Sequence, residues 1–303
     1  MTQDLEQLAQ QLEQHPDYRV LRRLVPGRVF NTPAPGQKLS KGVVLDTETT
    51  GFDVSADRVI ELGMLAFEFD ALTGVVYRVV DVLDELEDPG FPIPPATTAV
   101  HHITDDMVKG QHIDDVRVAE FLSHVEVVIA HNAAFDRPFV EARWPMFESL
   151  NWACSIKDID WREEGFGSAK LEYLLSTQGY FYEAHRAEAD CWALLELLNQ
   201  VLPQSQQTAL LAVLLSLNKP QQKVYAINSP FETKDKLKAR NYRWSAELRC
   251  WSRVVAGEPE MKQELEWLKH HVYAGRTARV ELETTGGKVR YSSRQGQKEM
   301  VTL

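Results

Sequence analysis

The sequence predicts an α/β fold, a mixed sheet covered by helices, followed by a second, smaller α+β domain at the C-terminus. Three observations carry this. Strand-like runs at 42–48, 58–70 and 75–84 come in succession, and only afterwards do strands alternate with helical periods, the order that builds a mixed sheet. At 303 residues the chain is long enough for two domains and an ample core. Its charge also changes sign along its length. Residues 219–303 hold 17 Lys and Arg against 10 Asp and Glu, a balance of +7; the totals of 33 and 44 leave 16 against 34, or −18, for residues 1–218. The expected division is an N-terminal helical extension over 1–39, a main domain over 40–218 and a small basic domain over 219–303.

The elements follow in order. Residues 2–14 and 17–24 read as short helices, and a loop carrying Pro26, Gly27, Pro33, Pro35 and Gly36 leads to the strand at 42–48. "RVIELGMLAFEFD" (58–70) and "VVYRVVDVLD" (75–84) form a hairpin joined by Ala71–Gly74. A Pro-rich loop (89–95), a helix at 114–124 and a buried strand, "VEVVIAH" (125–131), come next. Helices are expected at 133–143, 168–177, 187–201 and 207–217. After "LNKPQQ", a plausible linker by composition, come a strand near 222–228, a helix at 232–239, strands in "YRW" and "RCWSRVV", a helix at 259–272 and a hairpin at Gly286-Gly287.

Apolar and charged fractions of 44% and 25% are those of an ordinary globular protein. No run of about 18 apolar residues is present, so no membrane span is expected. The start, "MTQDLEQLAQQLEQ", is acidic and amphipathic, unlike a signal peptide. Cys154, Cys191 and Cys250 fit neither a disulfide framework nor a zinc knuckle, and the chain reads as cytoplasmic.

The chemistry begins at "GVVLDTETTGFD" (42–53). Asp46 and Glu48 are two apart on a strand and share one face with Val44, while Val43 and Leu45 take the other. Like charges side by side repel unless a cation lies between them, and hard divalent cations prefer carboxylate oxygens. The competing reading is a polar strand end fading into a turn. Further along, "VIAHNAAFDRPFV" puts Asp136 in a helix that starts where a buried strand stops. "AHRAEADCWALLELL" carries His185 and Asp190; its apolar positions Ala187, Cys191, Leu194, Leu195 and Leu198 follow the helical period. Five residues at about 100° each put His185 and Asp190 about 140° apart, so His185 belongs in the turn entering the helix.

Taken together, Asp46-Thr-Glu48, Asp136 within "HNAAFD" and His-x-Ala-x-x-Asp at 185–190 resemble the three motifs of the DEDDh 3′–5′ exonucleases, the family of the proofreading subunit of bacterial DNA polymerase III. The resemblance covers roughly residues 40–202. It includes "VHHITDDMV" (100–108), similar to the family's His-Gly-Ile-Thr-Asp-Glu loop, with His102 in place of the Gly. It implies a ribonuclease H-like fold for the main domain and metal-dependent release of nucleoside 5′-monophosphates from the 3′ end of DNA, most naturally single-stranded. Two Mg²⁺ or Mn²⁺ ions would be held by Asp46, Glu48, Asp136 and Asp190, with Asp46 bridging them. His185 would take the proton of the attacking water, a role suited to imidazole.

The resemblance also implies that Thr49, Thr50 and Gly51 contact the terminal 3′-OH, which turn chemistry explains about as well. Asn132 is expected to orient the motif or contact substrate, and His101 to contact the terminal nucleotide, against a competing reading of loop packing. Two other functions stay open: an RNA 3′–5′ exonuclease, and an adaptor bound to replication or repair proteins, since "QTALL" (207–211) loosely fits a sliding-clamp peptide. In the basic domain, Lys234, Lys236, Lys238, Arg240 and Arg243 lie among Tyr242, Trp244 and Trp251. That mixture suits a single-strand-binding module or, equally, a small core with a cationic surface.

Overall fold

The computed structural model describes residues 2–255 and 257–303. The chain forms two compact units, one up to Leu214 and one from Leu215. The first begins with helix α1 (Thr2–Glu13) and a short strand β1 (Arg22–Arg23). Strands β2 (Ser40–Thr49), β3 (Val59–Phe69) and β4 (Val76–Leu86) follow, then helices α2 (Pro95–His101), α3 (Asp105–Val108) and α4 (Asp115–Phe121). Next come β5 (Val125–Ala130), α5 (Ala133–Arg143), β6 (Trp152–Cys154), α6 (Leu171–Thr177), β7 (Tyr180–Phe181), α7 (Ala187–Asn199) and α8 (Ala209–Leu217).

The central sheet has the order β4-β3-β2-β5-β6. β2 runs antiparallel to β3 and parallel to β5, and β5 runs parallel to β6, so the sheet is mixed as the succession of strands predicts. β2 lies in the middle, and Val43, Val44 and Leu45 are fully buried. Register places Asp46 opposite Gly63 and Glu48 opposite Glu61, and the ladder then slips between Glu48 and Thr49. Directly paired residues share a face. Gly63 therefore sits on the face that carries Asp46, and a Cβ there would come within 2.5 Å of the Ala187 carbonyl carbon. The missing side chain lets the first turn of α7 rest on the strand beside Asp46. Cys191, one turn on, places its Sγ 3.3 Å from the Gly63 carbonyl oxygen.

Some expectations give way to tertiary pairing. Residues 17–24 are not helical: the Arg22 N–H donates to Gly179 O and the Leu24 N–H to Phe181 O, each at 2.8 Å, making β1 a parallel partner of β7. A distant strand satisfies these amides better than a lone helical turn between Pro16 and Pro26 could. Strands β6 and β7 and helices α2 and α3 are additions to the predicted set, each too short to show a period. In the predicted helix at 168–177, residues 168–170 are irregular and the helix starts at Leu171. His102 ends α2 at φ 61°, the left-handed region that glycine enters freely, so it takes up the backbone form suited to the Gly it replaces. Leu210 is fully buried in α8, so the "QTALL" stretch is not available as an extended clamp peptide.

The second unit is a five-stranded antiparallel sheet with helices packed against it. Its elements are β8 (Gln221–Ala226), α9 (Lys234–Ala239), β9 (Arg243–Ser245), β10 (Cys250–Val255), α10 (Gly257–Trp267), β11 (Arg279–Thr285) and β12 (Gln297–Thr302), in sheet order β12-β11-β8-β10-β9. The closing hairpin pairs β11 with β12 across residues 286–296 rather than through a tight Gly-Gly turn. Much of the basic and aromatic stretch at 234–251 is structural. Glu264 is fully buried and accepts hydrogen bonds from Arg240, Arg253 and Tyr242, while Trp251 packs on the core. Trp244 is half exposed. Among the described residues of the whole chain, no helix is long and apolar enough to cross a membrane.

The Gly63 contact gives a direct test. Gly63→Ala forces α7 off β3 and should destabilise the chain by about 1–3 kcal/mol, the usual cost of overpacking. Urea unfolding measures it, and an unchanged midpoint would show that α7 does not depend on this contact.

Candidate active site

Three separated segments build one cleft of about 510 Å³, lined by Asp46, Glu48, Asn132, Asp136, His185 and Asp190 among others. β2 delivers Asp46 and Glu48 on one face, and carboxylate oxygens of Asp46, Glu48 and Asp190 all lie within 4.8 Å of one another. Asp136 comes from the first turn of α5, where the positive end of the helix favours a negative charge. Asn132 precedes that helix at φ 88°, a left-handed conformation Asn tolerates better than most residues. Asp136 Oδ1 accepts from both the backbone N–H (3.1 Å) and Oγ1 (2.9 Å) of Thr47, which locks α5 to β2 between the other two acids.

The turn entering α7 is held from several sides. His185, at φ 67°, is exposed and precedes the helix, as its offset from Asp190 requires; its N–H donates to Asp190 Oδ2 at 2.8 Å. Tyr182 Oη donates to Asp190 Oδ1 at 2.7 Å. Glu61, wholly buried, accepts from Arg186 Nε at 2.9 Å and from the Ala187 N–H at 2.9 Å. It thus pairs with Arg186 and caps α7 in one arrangement, fixing the backbone on the C-terminal side of His185. Sequence reasoning passed over Thr47, Glu61, Tyr182 and Arg186. Thr47 lies between Asp46 and Glu48 in sequence, a position that could have drawn notice, although the acid it holds is Asp136. Glu61 alternates with apolar neighbours, and its partner is 125 residues away.

Other candidate contacts lie elsewhere. Thr49 and Thr50 are buried: Thr49 Oγ1 donates to Gly51 O, and Thr50 Oγ1 donates to Asp57, so this turn is closed on itself beside the cleft lining. His101 is buried, and its Nδ1 accepts the Ile103 N–H at 3.0 Å, leaving Nε2 without a hydrogen-bond partner among the described residues. Phe52, 86% exposed, stands edge-on to Phe135 on the cleft wall, an aromatic surface the sequence reading did not single out.

Electrostatics set the character of the site. Burial, then the neighbouring Asp136, Asp190 and Glu48, raise the Asp46 carboxyl far above its ordinary range. Burial and then Asp190 push Glu48 up to about 8. Burial lifts Asp136 to about 7 against the hydrogen bonds from Thr47, and raises Asp190 against those from Tyr182 and His185. None of the four acids forms an ion pair among the described residues. Converging oxygen donors that form no ion pair among the described residues fit one or two hard divalent cations.

Residues 43–198 match the RNase_T family model, described as exonuclease. The DNA polymerase III subunit epsilon of Treponema pallidum is 29% identical over 166 residues, covering 52% of this chain and 74% of that protein. The PolC-type DNA polymerase III of Lacticaseibacillus paracasei is 35% identical over 101 residues, 33% of this chain but only 6% of that much longer polymerase. Among solved structures, an Exonuclease X bound to 5′ overhanging duplex DNA covers 58% of this chain and 92% of its own at 25% identity and TM-score 0.39. E. coli Exonuclease I with a dA16 oligonucleotide covers 72% and 63% at 16% identity and TM-score 0.48.

The crowded acids predict how stability changes with pH. Their folded pKa values are raised, so the folded state binds more protons than the unfolded one, and stability falls as pH rises from about 4, the unfolded value. For Glu48 the loss is complete above its folded value of about 8. In EDTA, the melting midpoint of Asp46→Asn should therefore exceed wild type by a margin that widens from pH 4 towards 8, and Mn²⁺ should raise the wild-type midpoint more than the variant's. Parallel midpoints across that range would show that the carboxylates do not repel.

Proposed function

Because this chain belongs to the RNase_T exonuclease family, we propose that it is a metal-dependent 3′–5′ exonuclease that releases nucleoside 5′-monophosphates, acting on the 3′ end of single-stranded DNA. The observation that carries the reading is the convergence of Asp46, Glu48, Asp136, Asp190 and His185 on one cleft from three segments far apart in sequence. The matched polymerase III relatives favour DNA over RNA as the substrate.

Each residue then has a task. Asp46, Glu48, Asp136 and Asp190 would hold two divalent cations, Mg²⁺ or Mn²⁺. Bound there, such cations supply an activated water and offset the charge that develops on the phosphate and the leaving 3′ oxygen. His185, exposed at the mouth of the cleft, takes the proton of the attacking water. Its backbone bond to Asp190 holds the turn that carries the imidazole beside the acid cluster. Thr47 and Tyr182 each occupy an oxygen of Asp136 and Asp190 and so limit how those carboxylates turn. Phe52 and Phe135 offer an apolar wall for the terminal base, and Asn132, exposed at the lining, offers an amide to the nucleotide. Thr49, Thr50 and Gly51 shape the adjoining turn, and His101 closes the end of α2 through its bond to Ile103.

A 5′-labelled single-stranded DNA oligomer tests this directly. Shortening one nucleotide at a time from the 3′ end should occur with Mn²⁺ and cease in excess EDTA. His185→Ala should lose roughly 10²–10⁴-fold in rate while binding the oligomer almost normally, the usual worth of a positioned proton acceptor. A matched RNA oligomer should be cut more slowly. Full activity in EDTA, or a wild-type rate from His185→Ala, would contradict the assignment.

A further inference from the structure

The second unit contains a cleft of about 760 Å³ that the exonuclease chemistry leaves without a role. The chain leaving β8 forms one wall, and the segment leading into β11 forms the other. Both walls turn through left-handed backbone, Asn228 at φ 51° and Ala274 at φ 53°. Asn tolerates that conformation, but for Ala274 it is unfavourable, so the surrounding structure must hold it there. One tie is visible: Tyr273 Oη donates to the Ile227 carbonyl at 2.7 Å, joining the walls and fixing the shape of the cleft.

Arg276 and Arg279 line this cleft, and neither guanidinium forms an ion pair or side-chain hydrogen bond among the described residues. Arg240 and Arg253 of the same unit are, by contrast, committed to buried Glu264. A single carboxylate, Glu232, shares the lining with them. Phe231, between the lining residues Pro230 and Glu232, is 74% exposed, and Lys234 Nζ lies 4.2 Å from its ring centroid. Two unengaged guanidiniums in the lining, with an exposed aromatic ring on the residue between two lining residues, suit phosphates and a base.

We propose that this cleft binds the phosphodiester chain of a single-stranded nucleic acid, with Arg276 and Arg279 on phosphates and Phe231 stacked on a base. The choice of nucleic acid rests on the exonuclease reading above. Charge supports it: residues 219–303 carry 17 Lys and Arg against 10 Asp and Glu, whereas the rest of the chain, 16 against 34, repels a polyanion. Guanidinium forks match phosphate oxygens, and an exposed ring accepts any base without regard to sequence, which suits an enzyme that must move along its substrate.

The test uses the full chain in EDTA, so that nothing is cut, with fluorescence anisotropy of a labelled oligothymidylate at several salt concentrations. Arg276→Glu with Arg279→Glu should weaken binding at least about tenfold at low salt and reduce the slope of log affinity against log salt by about 1.4, at about 0.7 per phosphate. Arg276→Gln with Arg279→Gln keeps most of each side chain's length, guards against misfolding and should give the same loss of slope. Phe231→Ala should weaken binding about 5- to 100-fold with the slope retained. With Mn²⁺ restored, all three proteins should cleave a dinucleotide at the wild-type rate. Folded variants with wild-type affinity and slope would overturn the proposal and point to a protein or peptide occupant. Salt-dependent binding by wild type without any cleavage in Mn²⁺ would overturn the exonuclease reading and leave this one standing.

Discussion

Four carboxylates packed at the end of the central strand are an arrangement that water and a bare protein both disfavour. Burial and mutual repulsion lift Asp46, Glu48, Asp136 and Asp190 above the ordinary carboxylate range, and no lysine or arginine among the described residues pairs with any of them. The surrounding fold is what brings them together nonetheless. β2 supplies two acids on one face, α5 presents a third from its first turn, and Gly63 permits α7 to approach with the fourth. Folding against that repulsion lowers stability in the metal-free chain, and a bound cation would return it, since anything that binds only the folded state stabilises it.

A second layer of contacts fixes the acids in place. Thr47 ties Asp136 to β2, Tyr182 and the His185 amide occupy Asp190, and Glu61 holds Arg186 and the start of α7. The N-terminal extension adds to this layer, because β1 pairs with β7 immediately before Tyr182, and Arg23 lies 5.1 Å from the centre of the Phe181 ring. His185 stands exposed on a left-handed turn whose backbone is held by Asp190 on one side and by Glu61 on the other.

Much of this was legible in the sequence, for physical reasons that also explain what was not. β2, the β3–β4 hairpin, α5 and α7 announce themselves by period, and the place of His185 in a turn followed from helical geometry alone. Short elements such as β6 and β7 carry no period. The helix expected at 17–24 failed because β1 finds its partner in β7, far away in the chain. Glu61 could not be recognised, since an acid among apolar residues gives no hint of an arginine 125 positions on. In the second unit the basic and aromatic stretch at 234–251 suggested binding, yet Tyr242 and Trp251 turn out to pack in the core and Arg240 pairs with buried Glu264. Arg276 and Arg279, which no pattern marks, are the ones left open.

If the four acids form a cation site, anomalous diffraction from crystals soaked in Mn²⁺ will show it. Anomalous density should appear between the carboxylate oxygens of Asp46, Glu48, Asp136 and Asp190 and be lost when Asp46 is replaced by Asn. Manganese absent from that cleft while bound elsewhere on the protein would contradict it.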